Sequence, residues 1–127
     1  MKRKQRLVFM VVLMLVLGVC FGACAIVLTP QGAGGGSSSG SVKKTSSGEP
    51  KMNITSIGSM SATYFNCRIR KSDGTAATPN YAFTSTGNKS MYYLLNMNVL
   101  NDSYYVRVQT ASDEKKPMVQ IGLTWTP

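Results

Sequence analysis

The residues that could carry chemistry are few, and one type is missing altogether: the 127-residue chain contains no histidine. That removes the commonest general base and the commonest zinc ligand together. Of three cysteines, Cys20 and Cys24 fall in an apolar stretch near the N-terminus, so Cys67 is the single thiol of the C-terminal part. It has no histidine to activate it, and a lone thiol cannot build a structural zinc site. The acids Asp73, Asp102, Asp113 and Glu114 are scattered over turn-like segments, without EF-hand spacing or a pattern pointing to a glycosidase pair. Ser41-Val42-Lys43-Lys44 and Ser112-Asp113-Glu114-Lys115 both match S-x-x-K. Neither opens a helix that would set serine and lysine on one face. No Gly-rich loop joins a strand to a helix, so nucleotide binding has no footing. The expectation is a protein that is not an enzyme, with no catalytic residue, cofactor or metal.

What remains is recognition by a surface. Tyr64, Arg68 and Arg70 share one parity along one segment, and Tyr105 and Arg107 share one parity along another. Tyrosine contributes ring area and arginine a forked set of donors, the combination that concentrates binding energy. If the two segments are neighbouring strands, these five residues form one face suited to anionic polymers or sugars. Ordinary cross-strand pairing on a wetted sheet is the plainer use of the same residues.

The elements that must position them read as β. Phe65, Cys67 and Ile69 alternate with Asn66, Arg68 and Arg70, and Ser72-Asp73-Gly74 follows as a turn. Tyr81 to Thr84 is a short strand ended by Gly87-Asn88-Lys89. Met91 to Leu100 places Tyr93, Leu95, Met97 and Val99 on one side, and Tyr104 to Thr110 alternates likewise. Asn101-Asp102 between those two segments predicts an antiparallel hairpin. Val119, Ile121, Leu123 and Trp125 mark the last strand, and Met52 to Ile57 a first one. The fold expected is all-β, a small antiparallel sandwich or barrel of five to six strands. Its core holds Trp125, the alternating aliphatics and a buried Cys67.

Upstream of that domain the chain changes character twice. Lys2, Arg3, Lys4 and Arg6 precede an uncharged run of 22 residues, Leu7 to Leu28. A helix of that length crosses a bilayer core of about 30 Å, with the cations left on the cytoplasmic side. The same run also reads as a signal peptide, because Ala23-Cys24-Ala25 has the small-x-small form of a cleavage site. A third reading takes Phe21-Gly22-Ala23-Cys24 as a lipobox-like sequence of bacterial character, with Cys24 lipidated. All three readings place the C-terminal part extracytoplasmic, membrane-anchored or secreted. Gly and Ser dominate residues 32–48, which predicts a disordered spacer reaching about 25 Å on average. The division expected is therefore 1–28 as signal peptide or membrane anchor, 29–51 as flexible linker, and 52–127 as the extracytoplasmic β-domain.

The formal charge of +9 overstates how basic the domain is: four cations lie in the leader, and from Met52 to Pro127 seven cations face four acids, a net of +3. That is weak evidence for nucleic acid, which an exported domain would rarely meet, so the expectation is no nucleic-acid partner. About 75 residues make a marginal core when no internal disulfide can form. The functional expectation is a non-enzymatic module binding an envelope or extracellular partner, either an anionic envelope polymer or a protein. Two alternatives remain: an antibacterial or signalling effector released by leader cleavage, and an accessory subunit of a membrane complex. For the subunit, Gly18 and Gly22 supply a small-xxx-small helix contact.

Overall fold

Alternating side chains become strands where both faces of the alternation find the surroundings they need. The computed structural model describes residues 24–127. In chain order its strands are β1 (Cys24–Leu28), β2 (Gly36–Ser38), β3 (Val42–Lys43), β4 (Lys51–Ile57) and β5 (Phe65–Lys71). They continue with β6 (Tyr81–Phe83), β7 (Gly87–Ser90), β8 (Ser103–Thr110) and β9 (Ile121–Thr126). There is no helix among the described residues, and the strands form two antiparallel sheets. One runs in the order β1-β9-β4-β7; the other runs β2-β8-β5-β6, with β3 also paired to β8.

The inner faces of the two sheets share one core. Met52 and Ile54 of β4 and Leu123 and Trp125 of β9 pack in a cluster with Phe65, Cys67 and Ile69 of β5 and Val106 and Val108 of β8. Cys67 Sγ lies 3.6 Å from Met52 Sδ, which ties one sheet to the other at the centre. Each such large apolar side chain contributes about 1.5–3 kcal/mol when fully buried. The thiol is fully enclosed, as its place on the apolar side of β5 predicts. At the far end Glu114 accepts from Ser61 Oγ (2.7 Å), Ser61 N (2.8 Å), Ala62 N (3.1 Å) and Lys116 N (2.9 Å), pinning the β8–β9 connection.

Four local expectations are corrected. Met91 to Leu100 is not a strand but a turn-rich loop, and the hairpin across Asn101-Asp102 does not form. Both edges of β8 are already taken, by β5 on one side and by β2 and β3 on the other. Asn96 and Asn101 adopt left-handed φ values of 64° and 68°, incompatible with a continuous strand. Gly87-Asn88-Lys89, expected to end a strand, instead lies in β7 and pairs with β4. Among the described residues there are nine strands, above the five to six expected, because β1, β2, β3 and β7 carry no alternation.

The fourth correction concerns the Gly/Ser tract. Gly36, Ser37 and Ser38 pair with Gln109, Val108 and Arg107, and Val42 and Lys43 pair with Tyr104 and Ser103. A sheet edge needs only backbone donors and acceptors from its next neighbour, so a tract without apolar side chains can fill it. Close approach favours it further: a Cβ on Gly35 would overlap the backbone carbonyl of Gln31. The end of the apolar run also enters the fold, with Cys24 to Leu28 laid along Trp125 to Ile121. The leader readings of residues 1–23 lie outside the described residues.

Candidate functional site

β5 and β8 pair in register with Asn66 opposite Gln109, Arg68 opposite Arg107 and Arg70 opposite Tyr105. Because Phe65, Cys67, Ile69, Val106 and Val108 point into the core, the alternate residues share the outer face. Tyr64 immediately precedes β5 with the same parity. The structure therefore brings Arg68, Arg70, Tyr105 and Arg107 together on adjacent strands, with Tyr64 at the end of the row. Tyr92 does not belong with them; its ring stands edge-on to Tyr81, 6.1 Å away.

The arginines are held differently. Arg70 Nη1 donates to the Gly74 carbonyl at 2.9 Å, which ties it to the turn after β5. Arg107 reaches sideways over β2, where its Nη1 comes 3.5 Å from Ser38 Oγ. A side chain at Gly36 would overlap that guanidinium, so the bare glycine makes room for it. Arg68 lies between them, and its Nε is buried without a hydrogen-bond partner. Among the described residues the only ion pair is Lys71 with Asp102, at 2.7 Å, so none of the three guanidinium groups has a carboxylate.

A small depression of about 80 Å³ opens between them, lined by Asn66, Arg68, Arg70, Asn80, Arg107 and Gln109. The amides of Asn66, Asn80 and Gln109 were not singled out by sequence. Asn66 and Gln109 have the arginines' parity along their strands and were legible in principle; Asn80 arrives from the loop before β6, which no local pattern shows. Chemically the arrangement offers forked cationic donors for a carboxylate, phosphate or sulfate, with amides beside them for hydroxyl groups. It offers no general base.

The other candidates are dispersed. Asp102 is paired with Lys71, Asp73 accepts from Thr75 N, and Glu114 caps Ser61, so these acids do not converge on one cation. Cys24 and Ala25 of the candidate processing sequence are paired along β9 opposite Trp125 and Thr124, and Ala23 lies outside the described residues. Burial pushes the Cys67 thiol up to about 12, which makes it an unreactive core group.

The chain matches no protein-family model, no curated protein and no solved structure.

Proposed function

We propose that this chain is a non-enzymatic extracytoplasmic module whose β-domain, a small sandwich, binds an anionic partner of the cell envelope through the outer face of β5 and β8. The basic, apolar leader supports export, and the absence of histidine supports a binding role over catalysis. One observation carries the reading: Arg68 and Arg107 stand opposite one another without a carboxylate between them. Like charges directly across a sheet oppose folding, so the arrangement gains its sense from an anion that occupies it. Arg68, Arg70 and Arg107 would hold acidic groups, while Tyr64 and Tyr105 would lie against the intervening chain of a polymer.

The test is retention of the full chain on isolated anionic cell-wall polymer at low and moderate salt. Replacing Arg68 and Arg107 together with serine is expected to abolish retention while the β-sheet circular dichroism spectrum persists. Unchanged retention by that folded double variant would remove this face from consideration.

A further inference from the structure

The loop between β7 and β8 concentrates exposed apolar surface that the arginine face does not use. Among the described residues seven large hydrophobic side chains are exposed, and five of them (Tyr92, Leu94, Leu95, Val99 and Leu100) lie in this one loop. Leu95 is 87% exposed and Tyr92 59%. The loop is nonetheless held in place. Tyr104 Oη donates to Met97 O at 2.5 Å and accepts from Val99 N at 3.1 Å. Leu94 N donates to Ala77 O, Asn101 N to Lys44 O, and Tyr93 N to Glu49 Oε2. Apolar side chains on a loop fixed in this way contribute to binding with little further ordering.

Its position names the occupant. Ser90 pairs with Lys51, Lys51 with Thr126, and Trp125 with Cys24. The chain therefore leaves β7 for the loop at the same end of the four-stranded sheet at which it enters β1. In sequence β1 is the last part of the apolar run that begins at Leu7, and the Gly/Ser tract lies along β8 instead of between the run and the domain. Lys43 and Lys51 are exposed at this end; of its acids, Asp102 is paired with Lys71, Glu49 accepts from the Tyr93 amide and Asp73 accepts from the Thr75 amide. Apolar side chains rimmed by lysines match an interfacial membrane contact. A second copy of the chain fits less well, since a stable protein interface uses about 20–30 residues a side and this loop supplies far fewer.

We propose that residues 92–100 dock the domain onto the surface of a phospholipid membrane, sinking Leu95 and its neighbours into the headgroup boundary. The proposal rests on the extracytoplasmic reading, with the apolar run kept as a membrane anchor, and is independent of the arginine face. The test uses the full chain bearing Cys20→Ser and Cys24→Ser, since buried Cys67 is shielded from labelling. An environment-sensitive fluorophore is attached at Leu95→Cys, or at Lys115→Cys on the opposite end, and the chain is reconstituted into vesicles of mixed zwitterionic and anionic phospholipid. The expected result is a blue-shifted label at position 95 that loses most of its emission to a lipid-borne quencher, with the label at position 115 unaffected. A chain that floats with the vesicles but shows equal, weak quenching at both positions overturns the docking alone. A chain that does not float overturns anchoring by the apolar run, and the docking with it. A dimer in detergent that Leu95→Asp dissociates also overturns the proposal, in favour of a second copy.

Discussion

Replacing Arg68 with threonine should stabilise the domain, against the usual direction of a substitution in a folded sheet. Two unfavourable features of the structure disappear with the guanidinium. The first is repulsion from Arg107 directly opposite, about 0.2–1 kcal/mol for like charges facing across a pair of strands. The second is the buried Nε without a partner, a donor whose desolvation costs about 1–3 kcal/mol. Against these stands the lost packing of the arginine stem, about 0.8 kcal/mol for each methylene that is buried. The balance is a gain of about 1 kcal/mol at low ionic strength, where a typical substitution loses about as much. In a domain of this size that amounts to a rise in Tm of about 4–8 °C. Urea unfolding of the full chain at low and at high salt checks it, because screening to about 3 Å at 1 M should remove the repulsive part of the gain. Millimolar inorganic sulfate should stabilise the parent chain more than the variant, since a ligand stabilises the state that binds it in proportion to its affinity. A variant less stable than its parent at low salt would refute the idea that this face is strained by its own charge.

Three further outcomes are expected. Tyr104→Phe removes the hydroxyl that bonds Met97 and Val99, so it should cost about 1–2 kcal/mol and speed hydrogen exchange of the Val99 amide; unchanged exchange would show the loop is held by other means. Hydrogen bonds from the Ser61 hydroxyl, then from the amides of Ser61, Lys116 and Ala62, hold the Glu114 carboxyl at about 2 against an ordinary 4.5. A lowered carboxyl contributes stability that is complete above 4.5 and lost as pH falls toward 2. Glu114→Gln should therefore be less stable near neutrality and should flatten the acid unfolding profile across that window. With Cys20 and Cys24 replaced by serine, Cys67 should resist thiol reagents at neutral pH until urea unfolds the chain, and rapid labelling of the folded state would contradict its burial.

Much of the architecture was legible in the chain because it rests on a local property. Along β5, β8 and β9 each alternate residue is apolar, and a strand with one buried face requires that pattern, so the β class and the inward set including Trp125, Ile69 and Val106 followed from sequence. The same alternation put Arg68 and Arg70 on one outer face and Tyr105 and Arg107 on another. It misled at Met91 to Leu100, where the pattern is present but both edges of β8 were already taken and two asparagines turn the backbone left-handed. It was silent at Gly36–Ser38 and Val42–Lys43, whose place depends on backbone pairing and not on side chains.

By itself, then, the sequence determined the β class, the core residues of β5, β8 and β9 and the parity of each candidate contact, since these follow from side-chain order along single strands. Which strands lie side by side was decided only by tertiary structure, because sheet neighbours are joined by backbone hydrogen bonds between segments far apart in the chain. That choice set Arg68 opposite Arg107, folded the Gly/Ser tract onto β8, and left the apolar loop exposed at the end where β1 begins.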